Sequence, residues 1–473
     1  MERRSFLKAA CSSLAFSAFS GASFAASDAS KQAAKDAISS NKRPNVIIFL
    51  ADDAGYGDFG FQGSKVQQTP HIDSIAKTGT RFSQAYVTAS VCCPSRAGLL
   101  TGRYQQRFGH EFNGPDAKPM PGYTQDDLGL DPNEKTFADY FKSLGYRTCV
   151  IGKWNMGLRP QFQPWNRNFD EFFGFLGGAR SYFPIEGEVN EHHVMIKNQK
   201  VYPEEKITYT TDDFTDYAVD YVQRHKDRPF FLYLSYNAVH TPMHAKEEDL
   251  EQFSDVEPWR RRANAAMTKA MDDSIGRVSA KLKELGLEDD TLIMFFNDNG
   301  GTNNGASNGK LRGMKGSQWE GGIRVPCIMK WPGEIKENTV YDNPVSGFDF
   351  LPTAYAAAGG SKILGKPFDG VNLLPYLKGK KKSRPHKTLF WKRGRGYAVR
   401  EGDWKWVHQE DGTTGLYNLA EDVSEKNDLS EKYPEKLKHL KKLYKQWESE
   451  MAPPKWKRGG GWIEYDIAEQ LNS

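Results

Sequence analysis

The 473 residues predict an α/β fold, a mostly parallel sheet flanked by helices, with a smaller C-terminal α+β subdomain built on an antiparallel sheet. Three observations lead there. Continuous apolar runs of strand length recur along the chain, and each ends in a polar turn. Helical patterns over 213–226 and 259–285 separate these runs, and strands alternating with helices indicate parallel pairing covered on both faces. After about residue 375 the texture shifts to short, closely spaced alternating segments.

The N-terminus opens Arg3-Arg4-Ser5-Phe6-Leu7-Lys8 and continues as a short, Ser-rich, weakly apolar run with small residues near Ala25. It resembles a twin-arginine signal peptide over 1–26, which implies an exported, periplasmic or secreted protein. The run is too short and polar to predict a membrane span. Lys8 removes the apolar position that a lipidated Cys11 requires. Residues 27–43, rich in Lys, Asp, Ser and Ala, read as a flexible leader. The formal net charge is +4; removing three basic groups and one acid with the first 26 residues leaves about +2. No whole-chain field draws it to nucleic acid, and no nucleic-acid-binding motif is present. Cys92, Cys93, Cys149 and Cys327 match neither a disulfide framework nor a zinc site. Cys149 and Cys327 lie in strand-like runs and read as core.

The strands follow one grammar. Asn45 to Ala51 is apolar and ends in Asp52-Asp53. Adjacent carboxylates at the end of a buried strand repel unless a cation compensates them. Tyr146 to Ile151 leads to Gly152-Lys153-Trp154-Asn155, Phe230 to Tyr236 leads to His240, and Thr291 to Phe296 leads to Asp298-Asn299-Gly300. Taken singly, each has an ordinary structural reading: a helix cap, a solvated lysine, a turn histidine, an Asx turn. Taken together they lie at strand carboxyl ends, where ligands gather in such sheets. Asp52, Asp53, Asp298 and Asn299 offer only oxygen donors, the set a hard divalent cation takes.

The stretch Cys92-Cys93-Pro94-Ser95-Arg96-Ala97-Gly98-Leu99-Leu100-Thr101-Gly102 reads as a helix with Pro94 at its first position and Gly102 at its stop. Cys92 then lies just ahead of free backbone N–H groups, and Arg96 reaches back over the same end. The plain alternative is a buried Cys-Cys pair. Further on, Lys315-Gly316-Ser317-Gln318-Trp319-Glu320-Gly321-Gly322-Ile323-Arg324-Val325-Pro326 is dense enough in glycine for close backbone approach. Past the basic run Lys378 to Lys382, segments at 388–391, 397–400, 404–408 and 416–419 precede a charged helix over 434–450, and the tail from Ala452 reads as irregular.

The first of these stretches resembles the type I sulfatase signature Cys-x-Pro-Ser-Arg-x-x-x-Leu-Thr-Gly at every fixed position, and the second resembles that family's Lys-Gly-x-x-Trp-Glu-Gly-Gly-x-Arg-Val-Pro loop. The resemblance covers roughly 44–450. It implies an alkaline-phosphatase-like fold, a catalytic domain over 44–375, a C-terminal subdomain over 376–450 and a tail over 451–473. It also implies that Cys92 is oxidised to Cα-formylglycine by a formylglycine-generating enzyme. One hydroxyl of the aldehyde hydrate attacks sulfur and the other expels sulfate. By the same resemblance one calcium ion is held by Asp52, Asp53, Cys92, Asp298 and Asn299. Arg96, Lys153 and Lys315 neutralise the sulfate, and His240 protonates the leaving alcohol.

One position departs from the pattern. The family's second signature is kept from Gly145 to Trp154, but Asn155 stands where histidine is usual, and an amide cannot accept a proton at neutral pH. The variant resembles sulfatases of algal galactans such as carrageenan, so the implied substrate is a sulfated oligo- or polysaccharide. In the loop 178–203, Arg180, His192 and His193 are candidates for sugar contacts, beside the reading of a structural loop. Two alternatives stay open: a phosphate or phosphonate ester hydrolase on the same scaffold, or a sulfoglycan-binding protein whose site decayed at Asn155.

Overall fold

The computed structural model describes residues 43–114 and 117–458. The expected signal peptide, the leader up to residue 42 and the tail beyond 458 lie outside the described residues.

Strand β1 (Asn45–Ala51) is buried along its whole length. Helix α1 (Pro70–Lys77) and β2 (Thr80–Phe82) follow, then α2 (Cys92–Thr101), β3 (Arg147–Lys153) and β4 (Glu171–Phe175). The chain continues through β5 (Met195–Lys197), β6 (Lys200–Val201), α3 (Thr210–Arg224) and β7 (Phe230–Ser235). Next come α4 (Trp259–Glu284), β8 (Thr291–Asn297), β9 (Cys327–Lys330) and β10 (Thr339–Tyr341). These strands form one sheet in the order β10-β2-β9-β8-β1-β7-β3-β4-β5-β6. The central strands β8, β1, β7, β3 and β4 are mutually parallel. Antiparallel pairing begins outside them, at β9 on one side and β5 on the other.

Successive side chains of β1 divide between two apolar layers. Val46, Ile48 and Leu50 join the layer that contains Leu99 and Leu100 of α2. Ile47, Phe49 and Ala51 join the layer built with Ile72 of α1, Phe214 of α3 and Met271 of α4. Each large apolar side chain sealed this way contributes ~1.5–3 kcal/mol over exposure, and burial on both faces is why these strands read as unbroken apolar runs.

The C-terminal region is a four-stranded antiparallel sheet, β11 (Thr388–Arg393), β12 (Gly396–Glu401), β13 (Trp404–His408) and β14 (Thr414–Asn418), with helix α5 (Pro434–Glu448). Leu389, Trp391, Val399, Val407 and Leu416 enter the same apolar layer as α2. The Trp391 indole N–H donates to the Val87 carbonyl at 2.7 Å, fastening this sheet to the segment before α2.

Two local expectations are corrected. Helix α2 starts two residues early, with Val91 as its N-cap, so Cys92 is the first helical residue and Pro94 the third. Proline is tolerated there because first-turn N–H groups have no intrahelical partner. Gly102 does end the helix, in a left-handed conformation. The tail is not irregular from Ala452: Trp456 and Lys457 pair antiparallel with Pro119 and Lys118, and Trp456 is fully buried. The described cysteines are free and buried. Among the described residues no helix is long and apolar enough to cross a membrane.

Candidate active site

Strand register brings the expected residues to one level. Ala51 lies opposite Asn297, and Leu50 lies opposite Ser235, which itself lies opposite Gly152. Asp52, Asp298 and Lys153 therefore emerge side by side at the carboxyl edge. Gly152 has a positive φ, and a Cβ there would stand 2.0 Å from the Ser235 carbonyl oxygen, so the strand ends approach only because this residue is glycine. The turn after β8 is held likewise, since a Cβ on Gly300 would lie 1.8 Å from the Gly321 carbonyl oxygen. That contact docks the glycine-rich loop against Asp298-Asn299. The Lys315 N–H donates to Gly301 and the Gly316 N–H to Ser90, fixing Lys315 between the turn and the approach to α2.

The resulting cluster is almost dry. Lys153 Nζ donates to Asp52 Oδ2 at 2.6 Å and Lys315 Nζ to Asp53 Oδ1 at 2.6 Å. The Arg96 guanidinium, fully buried, pairs with Asp298 Oδ2 at 2.9 Å and Asp52 Oδ2 at 3.5 Å, and also donates to Ser235 Oγ. Cys92 Sγ lies 3.6 Å from Asp52 Oδ1 and 4.0 Å from Asp53 Oδ1. His240 Nε2 faces Asp53 Oδ2 at 3.6 Å, while its Nδ1 lies 2.7 Å from the Thr241 carbonyl oxygen. That oxygen only accepts, which places the proton of neutral His240 on Nδ1 and leaves Nε2 toward the site.

Burial pushes the Asp52 carboxyl above its ordinary range, and Asp298 adds to the shift. Burial acts on Asp53 in the same sense, but Lys315 and His240 outweigh it and hold that carboxyl low. Burial pushes the Cys92 thiol up, reinforced by Asp298, so at neutral pH it stays protonated and is a poor nucleophile as it stands. His240 is pushed down by burial, against the pull of Asp53.

The donor set suits a hard cation. Ligand atoms of Asp52, Asp53, Cys92 and His240 all lie within 4.8 Å of one another. Asn299 Nδ2 donates to Asp53 Oδ1 at 2.8 Å, while Asn299 Oδ1 is buried with no hydrogen-bond partner. That oxygen, buried beside carboxylates, is a donor that would fit a hard cation.

Two cavities meet at His240. The smaller, of ≈ 420 Å³, is lined by Cys92, Asn113, Asn155, His192 and His193. The larger, of ≈ 860 Å³, is lined by residues that include Asp53, Lys315, Trp259 and Arg260. Asn155 is buried in a left-handed conformation. Arg180 departs from the expected sugar contact. It is buried, and its guanidinium donates to Ser181, His193 and Glu204, so it braces the loop. Asn113, which accepts the Cys93 N–H at 3.1 Å and lines both cavities, and Ser235, which bridges Arg96 to the Lys153 carbonyl, went unnoticed in the sequence. Neither stands in a patterned stretch that marks it.

A family model described as Sulfatase matches residues 44–360, and one described as N-sulphoglucosamine sulphohydrolase, C-terminal, matches residues 315–452. The N-acetylgalactosamine-6-sulfatase of Mus musculus is 33% identical over 384 residues, covering 76% of this chain and 71% of the relative. The crystal structure of Ps i-CgsB is similar at 35% identity and a TM-score of 0.83, over 91% of this chain and 97% of that one. The same protein in complex with k-i-k-neocarrahexaose aligns with a TM-score of 0.82. A phosphonate monoester hydrolase of Agrobacterium radiobacter, 19% identical with a TM-score of 0.62 over 86% of this chain and 96% of that one, shares the fold alone.

Proposed function

Because the chain belongs to the sulfatase family and is a sulfuric ester hydrolase of alkaline-phosphatase-like fold, we propose that it is an exported enzyme removing sulfate from a sulfated glycan of the carrageenan type. The observation that carries this reading is the convergence of Asp52, Asp53, Cys92, Arg96, Lys153, His240, Asp298 and Lys315 around one buried space that opens into two cavities. The hexaose bound to Ps i-CgsB, the nearer structural likeness described above, supports the substrate class.

Asp52, Asp53, Asp298 and Asn299 would hold a calcium ion, which when bound supplies positive charge to a sulfate oxygen and acidifies the nucleophile beside it. Position 92, once oxidised to Cα-formylglycine, supplies an aldehyde hydrate, an exit for sulfate that a thiol lacks. Arg96, Lys153 and Lys315 bring cationic donors into a space nearly free of water, where each donor to the sulfate oxygens is worth a few kcal/mol. His240 lines both cavities and presents Nε2 to the site; once Nε2 takes up a proton, the imidazolium would give it to the departing sugar oxygen. Asn155 orients a hydroxyl at the opposite side and exchanges no proton.

The test is direct. The chain, co-expressed with a formylglycine-generating enzyme, is given sulfated carrageenan oligosaccharides and assayed for inorganic sulfate, while mass spectrometry reads residue 92 as aldehyde or thiol. Sulfate release that tracks the aldehyde content supports the proposal. Release by the pure thiol form, or hydrolysis of an aryl phosphate in preference to the sulfated sugar, refutes it.

A further inference from the structure

The larger cavity exceeds what one sulfate group requires, and its lining includes residues with no part in the chemistry above. At ≈ 860 Å³ it lies near the top of the ~300–1,000 Å³ range of small-molecule sites. Its lining includes Asp53, His240 and Lys315 together with Trp259 and Arg260, the first residues of α4. Trp259 is 51% exposed, an open indole in the lining of a cavity that also holds charged side chains. Arg260 beside it is exposed too. An open indole in a cavity lining offers a flat apolar face on which a sugar ring can stack.

These two residues are held in place. The next residue, Arg261, donates to the buried Asp58 carboxylate, to the Gly305 carbonyl at 2.9 Å and to Gln67 Oε1 at 2.7 Å. Asp58 in turn accepts the N–H groups of Gly55 and Ser307, in the loops that flank Asp53 and Asn299. The start of α4 is thereby tied to the same loops as the catalytic cluster, and such preorganisation lowers the ordering cost of binding.

Resting on the sulfatase reading, we propose that Trp259 and Arg260 form a subsite for the sulfated sugar unit next to the one that loses its sulfate. Trp259 stacks against the pyranose ring, and Arg260 pairs with that unit's own sulfate. The enzyme then selects oligosaccharides sulfated on neighbouring units.

The experiment is calorimetric titration of a sulfated neocarrahexaose into the Cys92→Ala chain, in calcium-containing buffer at several salt concentrations, with thermal unfolding as a check on the fold. Trp259→Ala is expected to weaken binding about tenfold, and Trp259→Phe to recover most of that loss. Arg260→Ala is expected to weaken binding about tenfold at low salt and to flatten its salt dependence, which a packing defect does not do. Unchanged affinity in Trp259→Ala, an unchanged salt slope in Arg260→Ala, or no binding by the Cys92→Ala parent overturns the subsite. If the hexaose binds through Trp259 but the intact, aldehyde-bearing chain releases no sulfate, the subsite stands and the sulfatase reading falls.

Discussion

Replacing Glu425 by glutamine tests a buried charge network that joins the Lys315 loop to the C-terminal sheet. Lys405 Nζ, fully buried, sits 3.0 Å from Glu320 Oε1 and 2.8 Å from Glu425 Oε1, and Glu425 Oε2 also accepts the Glu320 N–H at 2.7 Å. Two carboxylates share one ammonium, and they diverge. Burial opposes ionisation of Glu320, but Lys405 and Arg324 overcome it and bring that group down to about 2. For Glu425 burial prevails over Lys405, Glu320 adds to it, and the group is pushed up to about 7 from an ordinary 4.5. Between those last two values the folded chain binds more protons than the unfolded one. The stability tied to Glu425 is therefore complete below pH 4.5 and is lost as pH rises through about 7. At 1.36 kcal/mol per unit, the cost of ionising it in place approaches 3 kcal/mol at about pH 8 and is under ~1 kcal/mol at about pH 5. Glutamine keeps one of the two acceptor atoms and surrenders ~1 kcal/mol of hydrogen bonding at any pH. The variant and parent are thus expected to be about equally stable near pH 5, with the variant ahead by ~2 kcal/mol near pH 8, measured by urea unfolding at each pH. A stability difference that does not change with pH, or that favours the parent more as pH rises, refutes the reasoning.

Removal of divalent cations with EGTA is expected to lower Tm as well as activity, and calcium added back at ~100 times its Kd is expected to return ~2.7 kcal/mol of stability. A Tm indifferent to both treatments rules out a cation among Asp52, Asp53, Asp298 and Asn299. Gly300→Ala sets a methyl group 1.8 Å from the Gly321 carbonyl oxygen, which only backbone movement relieves. It is expected to cost at least ~2 kcal/mol in urea unfolding and to slow sulfate release at least ~10-fold by displacing Lys315, and parent-like values on both measures rule out the proposed docking role.

The strands that end at the site were legible because burial on both faces forces unbroken apolar runs, and the polar residues at their ends interrupt those runs abruptly. β7 and β8 begin where the apolar runs begin. β3 runs on to Lys153, past the apparent stop at Ile151, because Gly152 pairs with Ser235 on one side and Gly174 on the other. A Gly-Lys pair carries no strand signal of its own; the ladder comes from its neighbours. Trp456 was hidden for a similar reason, since its partner strand lies at Lys118–Pro119, far back in the chain. Arg180 looked like a ligand-binding arginine because its acceptors, two carbonyls and Glu204, come from loop geometry that no local pattern encodes. The Glu320–Lys405–Glu425 network was equally invisible, three ordinary charges that meet only after two sheets pack.

The charge count at the cluster links its stability to its use. Three carboxyls, Asp52, Asp53 and Asp298, face three cationic side chains, Arg96, Lys153 and Lys315, so the buried site is paired within itself. Unpaired, any one of these groups would cost several kcal/mol in such surroundings. On the proposed function the carboxylates would instead hold a divalent cation, leaving the three cationic side chains to pair with a sulfate ester. Lys153 and Lys315 would then exchange their carboxylate partners for that anion. Both lysines stand at single carboxylate oxygens, Lys153 on Asp52 and Lys315 on Asp53, so each would break one contact to reach sulfate. Arg96 is spread over Asp298, Asp52 and Ser235 and would stay in place to hold the frame.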